Sequence, residues 1–428
     1  MCHLITAVTG ERTYSVNGQV VVTGFGAITP VGNDRETTWQ ALVKGVSGID
    51  TITAFDASGL PTRIAGEVKG FDPAAVLDTK RLRRSARFSQ FAIAAAREAV
   101  ADAGLVIDDD RAGRTGVVVN CAVAGMGEIE SATRQIAGPA PGRLSPYFVS
   151  SVIPNMAACE VAIDLGVHGP VTASALACAS GIYAFLEARR LIVSGEADVV
   201  ICGGTDASIT PVMFAGLSSM GAMSRRNDEP ARASRPFDAE RDGFVYGEGA
   251  VLAVVESATH ARQRGARAYA SIAGGALTSD AFHVSAPEPS ATYTAAAIRQ
   301  ALQRSGLGPA DIDYICAHGT STRANDRTES AAIREVFGSR AGQVAISSPK
   351  SMVGHLIGAA GALSAMVSAL AMRDSVAPPT INFDTPDPEC DLDYVPNVAR
   401  PMTIEASMVN AFGFGGQNCV AVLRRAAG

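Results

Sequence analysis

A repeated pattern constrains this chain more than any single segment does. Each half contains an apolar strand that ends at a polar loop and, further on, a turn of small residues that leads into a long helix. The first half has VVVNCAVAG and SALACASGIYAFLEARRLIVSG, and the second has YICAHGTST and SSPKSMVGHLIGAAGALSAMVSALAM. Repetition on this scale predicts a duplicated fold. We place the two halves at residues 17–265 and 266–428, with Thr205–Gly249 as an insertion in the first half.

The predicted strands and helices alternate along the chain. The runs QVVVTGF, RTGVVVNCAV and EADVVICGG lack polar alternation, as is typical of strands buried on both faces of a sheet. Helical stretches such as SQFAIAAAREAVADAG lie between them. The sequence therefore predicts the α/β class.

Composition excludes several kinds of protein. The 428 residues are 47% hydrophobic and 18% charged, which argues against a disordered or coiled-coil chain. A net charge of −6 argues against general nucleic-acid binding. The eight cysteines form no CxxC pair, so a zinc site or a disulfide scaffold is not expected. We read the apolar stretch His355–Met372 as a buried helix, not a membrane span, and expect a cytoplasmic protein without a secretory signal.

Cys178 is the best candidate nucleophile. It lies in ALACASG, between a strand-like VTASAL and a helix that runs through Ile182 and Phe185. Unpaired N–H groups and the dipole at a helix N-terminus favour the thiolate. The small residues around it leave space for a substrate. Most of the other seven cysteines are expected to be structural.

Two of the six histidines belong to the repeated pattern. His318 ends a strand in CAHGTST, where we expect the neighbouring hydroxyl groups to fix its ring, and His355 starts the long helix of the second half. An imidazole beside a helix N-terminus is biased toward its neutral form, which donates a hydrogen bond without carrying charge. Lys350 and Glu329 are predicted to form a buried ion pair that supports both loops.

The C-terminal VNAFGFGGQN combines glycines and phenylalanines in a short loop. Gly413, Gly415 and Gly416 permit positive φ and close approach of the backbone. Phe412 and Phe414 would stand beside a possible channel. A tight turn before the last strand, CVAVLRR, would explain the same residues.

Five motifs together resemble the elongating β-ketoacyl-acyl-carrier-protein synthases. ACASG, SRPFDAERDGFVYGEG, AHGTST, KSMVGH and NAFGFGG stand in the order of that family, and the resemblance extends from VVVTGFGAITPVG to the last strand. It implies a thiolase-like duplicated fold, a five-layer α-β-α-β-α sandwich, and a dimer. It also implies an acyltransferase that elongates a fatty-acid or polyketide chain by two carbons through decarboxylative Claisen condensation.

The resemblance assigns the central chemical roles. Cys178 matches the nucleophile that accepts an acyl chain from an acyl carrier protein. The backbone N–H groups of Cys178 and Phe414 match an oxyanion hole for the thioester oxygen. His318 and His355 match the pair that assists malonyl decarboxylation and stabilises the enolate. Acyl loading followed by condensation is covalent catalysis and predicts ping-pong kinetics.

Further residues match supporting positions of the same family. Lys350 and Glu329 match its charged support, and Phe414 its gate. Thr320 and Thr322 match hydroxyl groups that contact the phosphopantetheine arm. That arm is carried by the acyl carrier protein, so no separate cofactor or metal is expected. The turn GFGAITPVG also lacks the GxGxxG spacing of a dinucleotide site.

The acyl pocket and the carrier-docking surface are assigned in the same way. Val123 matches a position that limits pocket depth, and a valine would admit a medium or long chain. Phe148 falls where a dimer partner reaches into that pocket. A basic run and SRRND form a candidate docking patch for an acidic carrier protein, made of Lys80, Arg81, Arg84, Arg87 and Arg225. A solvated helix face would explain the basic run equally well.

Several functions remain open at this point. His355 separates the chain from initiating synthases with Asn there, and AFGFGG separates it from thiolases with a second cysteine. GHLIGAAGAL is typical of fatty-acid synthases, whereas RANDRTES is closer to the ketosynthase subunit of type II polyketide systems, which acts with a cysteine-less chain-length-factor partner. The alternatives are that heterodimeric subunit, a non-catalytic dimer scaffold and a thiolase-like enzyme that uses CoA thioesters. A homodimer and a heterodimer are both compatible with the sequence.

Overall fold

The computed structural model describes residues 19–138 and 142–426. Residues 17 and 18, where the predicted first half begins, lie outside the described residues. The strands are β1 Val20–Ile28, β2 Asp50–Thr51, β3 Ile64–Ala65, β4 Thr115–Asn120, β5 Val171–Thr172, β6 Val199–Asp206, β7 Gly249–Ser257, β8 Ala270–Ser279, β9 Tyr314–Cys316, β10 Ala345–Ser347, β11 Val376–Ala377, β12 Arg400–Pro401, β13 Ala406–Gly413 and β14 Gln417–Arg425.

Helices fill most of the sequence between these strands. They are α1 Arg35–Val43, α2 Thr79–Leu82, α3 Arg87–Asp102, α4 Asp109–Ala112, α5 Met126–Ala137, α6 Phe148–Val152, α7 Met156–Leu165, α8 Ser180–Val193, α9 Pro211–Ser219, α10 Ala258–Gln263, α11 Thr292–Ser305, α12 Arg323–Phe337, α13 Lys350–Val353 and α14 Ala360–Asp374. Side-chain caps fix several helix starts: Asp34 accepts from the N–H of Thr37, and Thr322 accepts from that of Asn325.

Ten strands form one continuous sheet in the order β10-β9-β13-β14-β8-β1-β7-β6-β4-β5. The strands before and after the junction repeat one arrangement, since β1-β7-β6-β4-β5 and β8-β14-β13-β9-β10 share their chain order and their parallel and antiparallel pairings. β1 and β8 join antiparallel through only two residue pairs, Val21–Ser271 and Val22–Ala270. The predicted duplication is therefore present in the backbone.

The helices complete five layers around these two five-stranded units. α3 packs with α7 on one outer face, and α11 packs with α12 on the other. α8 and α14 pack together and contact strands of both units, so they form the middle layer. The predicted thiolase-like α-β-α-β-α sandwich is confirmed. α14 is buried along nearly its whole length, as predicted for the His355–Met372 stretch, and no helix of the described residues is long and apolar enough to cross a membrane.

One local expectation was inaccurate. The strand predicted over VTASAL is only Val171–Thr172, because the N–H of Ser174 leaves the sheet to donate to Asn120 Oδ1 at 2.7 Å. The later part of the insertion Thr205–Gly249 is loop-like, as its sequence indicated, but it is tightly packed. Arg235 and Arg241 are almost fully buried in it, and Arg235 forms an ion pair with the buried Asp238.

Candidate active site

Cys178 occupies a tight turn between β5 and α8. It is the middle residue of a single 3-10 turn, Ala177–Ala179, which continues directly into α8. Ala177 has a positive φ of 47°, a conformation that is costly for a residue with a side chain. The hydroxyl of Ser180 accepts from the N–H of Leu176 at 2.9 Å and closes the turn. The thiol is thus held at a helix N-terminus, as predicted.

The protonation state of Cys178 differs from the expectation. Burial raises the pKa of the Cys178 thiol to about 11, although the positive charge of Lys350 and the backbone N–H of Phe414 act in the opposite direction. Cys178 is only 8% exposed, so desolvation outweighs the helix terminus. The backbone N–H groups act in the predicted direction, but burial outweighs them and favours the protonated thiol.

His318 is held through its backbone. Its N–H donates to Glu329 Oε1 at 2.8 Å, and its carbonyl oxygen accepts from Lys350 Nζ at 2.6 Å. Glu329 also accepts from the N–H of Gly319 and from Asn410 Nδ2. All of these groups are buried.

Lys350 and Glu329 therefore do not form the predicted ion pair with each other; each binds the His318 loop separately. The hydroxyl clamp on the ring is also not formed, because Thr320 Oγ1 and Thr322 Oγ1 bond to each other at 2.9 Å. His318 Nδ1 is buried without a hydrogen-bond partner in the described part of the chain.

His355 presents a hydrogen-bond donor to the site. Its Nδ1 accepts from the N–H of Ile357 at 3.2 Å, which places the proton of the neutral ring on Nε2. Nε2 is buried and has no partner among the described residues. Burial and the charge of Lys350 lower the pKa of both His318 and His355 well below its usual value. Both rings are therefore neutral at physiological pH, as predicted for His355.

Cys178, His318 and His355 meet at one point. The sulfur of Cys178 and one ring nitrogen of each histidine lie within 4.8 Å of one another. The two imidazole rings are 5.5 Å apart between centroids and nearly perpendicular. All three residues line a cavity of about 650 Å³. The apolar residues that line it include Val123, Met213, Leu217, Met220, Phe244 and Ile357.

The glycine loop after β13 approaches Cys178 closely. A Cβ on Gly413 would lie 2.7 Å from the carbonyl oxygen of Leu176 and 3.2 Å from the backbone N of Cys178. Gly415 and Gly416 have positive φ values of 83° and 75°, as predicted for this loop. Gly413 does not have a positive φ, and its lack of a side chain instead allows the loop backbone to approach Leu176 and Cys178 closely. Phe414 lines the cavity and is 40% exposed, and its N–H points toward the Cys178 thiol.

The polar residues near the cavity mouth include those expected to contact a carrier arm. Thr320 and Thr322 both line the cavity, and Thr322 is also the N-cap of α12. Arg323 lines the same wall and is exposed. Arg323 is the first arginine of RANDRTES, and no role for it is expected from the sequence.

The two expected pocket residues are placed differently. Val123 lines the cavity beside Cys178. Phe148 begins α6, is half-buried and does not line the cavity of its own chain.

The basic run divides into internal and external residues. Arg81 forms an ion pair with Asp164, and Arg87 binds Glu248 at 2.7 Å. Arg84 stacks on the ring of Tyr147. Lys80 is exposed, and so is Arg225, which lies outside the run and whose N–H donates to the cavity-lining Asp242. The expected docking patch is thus partly engaged in holding the fold together.

Sequence reasoning missed Asp206. This carboxylate ends β6, is fully buried and accepts four backbone N–H groups near the cavity. Burial raises its pKa to about 6, against the effect of those hydrogen bonds. A carboxylate at the end of an otherwise apolar buried strand was the available signal, since His318 follows its own strand in the same way.

The fold and the site together define a condensing enzyme of the thiolase-like class. Its duplicated five-layer sandwich brings a cysteine from one half against two neutral histidines from the other. Such an enzyme is an acyltransferase. The geometry does not include the second cysteine in the glycine loop that a thiolase would need, because Cys419 is fully buried within β14.

The comparison with known families agrees with this class. Residues 17–261 match the beta-ketoacyl synthase N-terminal domain, and residues 269–384 match the beta-ketoacyl synthase C-terminal domain. The chain belongs to the beta-ketoacyl synthase family, and the resemblance seen in the sequence is confirmed.

Curated relatives are similar along nearly their full length. The chain is 46% identical over 407 residues to a 3-oxoacyl-[acyl-carrier-protein] synthase 2 from Coxiella burnetii, covering 95% of this chain and 98% of the relative. It is 47% identical over 411 residues to a protein of the same name from Staphylococcus aureus, covering 96% and 99%. The predicted β-ketoacyl synthase function is thereby supported at the level of whole chains.

Solved structures show the same fold at lower identity. The ishigamide ketosynthase/chain length factor matches with a TM-score of 0.89 at 37% identity, covering 96% of this chain and 99% of that one. A type II polyketide ketosynthase, solved in complex with its acyl-carrier protein and bound to a hexaketide, matches with a TM-score of 0.88 at 33% identity over 96% and 99% of the two chains.

Proposed function

We propose that this enzyme elongates an acyl chain held as a thioester on Cys178, using malonyl units delivered by an acyl carrier protein. The observation that carries the proposal is the meeting of the Cys178 thiol with two neutral histidines at an apolar cavity of about 650 Å³. The substrates arrive on the phosphopantetheine arm of the carrier, so the chain itself needs no further cofactor.

In the first half-reaction, Cys178 Sγ attacks the carbonyl carbon of an acyl thioester. The carrier leaves as a thiol, and the acyl group remains on Cys178. Because burial keeps the thiol protonated, the proton must leave as the C–S bond forms, and a neutral histidine within 4.8 Å is available to accept it. The N–H groups of Cys178 and Phe414 would stabilise the negative charge on the carbonyl oxygen.

In the second half-reaction, malonyl thioester loses carbon dioxide and becomes an enolate. The buried Nε2–H of His355 would donate to the thioester oxygen where this negative charge develops. His318 would provide the second polar contact, while Lys350 and Glu329 hold its loop as positioning residues. The enolate carbon then attacks the acyl carbon on Cys178, forms the new C–C bond and releases the cysteine as the leaving group.

The carrier would approach from the open side of the cavity. Thr320 and Thr322 on its wall are suited to bond the amide groups of the phosphopantetheine arm. Lys80 and Arg225 are exposed cations that could bind an acidic carrier. Arg84, which stacks on Tyr147, would add a third positive charge. Arg81 and Arg87 would contribute less directly, because internal carboxylates already bind them.

We further propose that two copies associate through the face around β5. Among the described residues no strand pairs with the outer edge of β5, and large apolar side chains lie exposed on the neighbouring helices. These are Ile129, Ile136, Tyr147, Val149, Ile153 and Ile163. A second copy would cover them and could bring its Phe148 toward the acyl pocket near Val123. Residues 17–265 and 266–428 act as one nucleophile-bearing and one histidine-bearing half within each copy.

A homodimer that elongates fatty acyl chains is favoured over a heterodimeric polyketide subunit. The relatives named 3-oxoacyl-[acyl-carrier-protein] synthase 2 share 45–47% identity with the chain, whereas the ketosynthase of the type II polyketide complex shares 33%. The paired thiol and histidines argue against a non-catalytic scaffold, which has no use for them.

The test is intact mass of the purified protein after incubation with acyl carrier proteins that bear a series of acyl chains. Wild type should gain the mass of the acyl group, and Cys178→Ala should not. Addition of malonyl carrier should then release a product two carbons longer. An adduct from CoA thioesters but not from carrier thioesters would favour the thiolase-like alternative. No adduct on the wild type, with or without a candidate partner subunit, would refute the proposed function.

A further inference from the structure

The carboxylate of Asp206 joins two separate segments of the cavity wall. Its Oδ1 accepts from the N–H groups of Val123 and Ala124 at 3.0 and 3.2 Å. Its Oδ2 accepts from those of Ala122 and Gly358 at 2.9 and 2.8 Å. Four charge-assisted hydrogen bonds on one fully buried side chain bind these segments more firmly than apolar packing alone would.

Each of the two segments contributes to the acyl cavity. Val123 lines the cavity from the first segment, and Ile357 lines it from the second. Ile357 also donates its N–H to His355 Nδ1, so it sets the orientation of that ring. Ala124 and Ile357 have positive φ values of 55° and 49°, which only a strong local constraint maintains. Three of the four amides that Asp206 binds, those of Val123, Ala124 and Gly358, lie at or directly beside these strained residues.

The duplicated fold gives Gly358 a special position. Gly358 is the middle residue of the 3-10 turn Ile357–Ala359, as Cys178 is of the turn Ala177–Ala179. The first residues of both turns, Ile357 and Ala177, have nearly equal positive φ values of 49° and 47°. The Gly358 N–H is thus the counterpart of the Cys178 N–H. In one half this N–H is available to a substrate oxygen, and in the other an internal carboxylate occupies it.

No side chain at position 358 is compatible with this arrangement. A Cβ there would lie 2.4 Å from Asp206 Oδ2 and 2.8 Å from the backbone N of Ala122. The carboxylate, the 122–124 segment and the 357–358 turn therefore form one packed unit. A displacement of any one of them must be shared by the others, because interiors at this density do not absorb it locally.

We propose that Asp206 is a positioning and specificity-determining residue that couples the depth of the acyl pocket to the placement of His355. An acyl chain that presses on Val123 moves the 122–124 segment, and Asp206 transmits this displacement to the 357–358 turn and so to the imidazole. Only chains that fit leave His355 correctly placed for decarboxylation. This inference rests on the proposed function, and it concerns the second half-reaction and chain-length selection.

The test compares Asp206→Asn and Asp206→Glu with wild type over a series of acyl chain lengths. Asn presents N–H groups to backbone donors, so the 357–358 turn should shift. Acyl loading of Cys178 should stay near the wild-type rate, while condensation falls roughly 10- to 100-fold, as expected when a catalytic group is misplaced by about 1 Å. The preferred chain length should also change. Glu keeps both acceptor oxygens but adds a methylene to this packed unit, so it should recover only part of the condensation rate, with an altered chain-length profile.

Asp238→Asn is the matched control. Asp238 is also a buried carboxylate that accepts backbone N–H groups, from Glu240, Asp384 and Thr385, but neither it nor these residues line the cavity. Its substitution should lower the thermal midpoint and leave the chain-length profile of the remaining activity unchanged. Equal losses of loading and condensation in Asp206→Asn, with an unchanged profile, would show a merely structural residue and overturn the inference.

Hydrogen exchange tests the coupling without using activity. In Asp206→Asn the amides of residues 122–124 and of Gly358 should lose protection together, and in Asp238→Asn they should not. Loss in one segment only, or in neither, would refute the coupling even if the enzyme elongates acyl chains as proposed. If wild type fails to load acyl groups, the proposed function fails, and the exchange result still decides whether Asp206 joins the two segments. Should Asp206→Asn not fold, the reaction rates and the hydrogen exchange would both be measured on Asp206→Glu, for which we expect a smaller effect.

Discussion

Replacement of Gly413 by alanine tests the geometry of the proposed oxyanion hole with a single methyl group. The added Cβ would lie 2.7 Å from the carbonyl oxygen of Leu176 and 3.2 Å from the backbone N of Cys178. Carbon and oxygen normally stay at least about 3.3 Å apart, so the two segments must separate by roughly 0.6 Å. Gly413 does not have a positive φ, so this contact and not backbone strain is the perturbation.

The separation acts on the two N–H groups that would bind the thioester oxygen. It moves Cys178 away from the loop that carries Phe414. Loss of one oxyanion donor costs about 10²- to 10³-fold in kcat, and a displacement of about 1 Å costs about 10²-fold. For roughly half that displacement we expect a 10- to 100-fold slower reaction, or about 1.4 to 2.7 kcal/mol in activation free energy.

The assay follows acyl-Cys178 formation by intact mass and condensation by mass spectrometry of the product. Because both half-reactions develop charge at the same carbonyl position, Gly413→Ala should slow both. Gly113→Ala is the control, since a Cβ there meets nothing within 4 Å and its φ is not positive. Undiminished acyl loading in Gly413→Ala would refute this account of the oxyanion hole. A loss matched by Gly113→Ala would refute it as well.

Three further predictions follow from the buried charges and the thiol. Intact mass should show no acyl adduct on Cys178→Ala, whereas Cys159→Ala, which removes a more exposed thiol, should retain the adduct. An adduct on Cys178→Ala and none on Cys159→Ala would identify a different nucleophile. Lys350→Met leaves the carbonyl oxygen of His318 without its 2.6 Å hydrogen-bond donor, which should lower the unfolding free energy by about 1–3 kcal/mol. The same change should slow condensation more than acyl loading. Equal slowing of the two half-reactions in stopped-flow kinetics would contradict the positioning role of Lys350. Since burial lowers the pKa of His318 and His355 well below that of the unfolded chain, the unfolded state binds more protons at these two residues below about pH 6.5, so their contribution to stability falls as pH drops through that range. The condensation rate should instead follow the Asp206 pKa of about 6, and an inflection near 6.5 that persists in Asp206→Asn would mean that one ring titrates normally.

The candidate nucleophile and the two candidate histidines could be located from the sequence because their signals are local. A strand that ends at a polar loop places His318 at the carboxyl end of the sheet, and a small-residue turn before a helix places Cys178 at a helix N-terminus. The same two patterns occur once in each half, so their duplication also fixed the fold class. Neighbouring residues and the strand and helix periods are sufficient for each of these conclusions.

The tertiary structure decided everything that depends on groups far apart in sequence. Lys350 and Glu329 were correctly expected near His318, but only the packed loops show that they bind its backbone separately and not each other. The pKa of the Cys178 thiol also depends on the tertiary structure, because burial raises it more than the helix terminus lowers it.

Asp206 shows the physical reason most directly. It binds the N–H of Gly358, which is 152 residues away in the sequence, and no local sequence pattern indicates that the two residues are in contact. Hydrogen-bond partners and desolvation are set by which surfaces the folded chain brings together. The sequence by itself therefore determined the fold class, the duplication and the residues that could react. The folded chain determined their protonation, their support and the hydrogen bonds by which Asp206 joins residues 122–124 to the 357–358 turn.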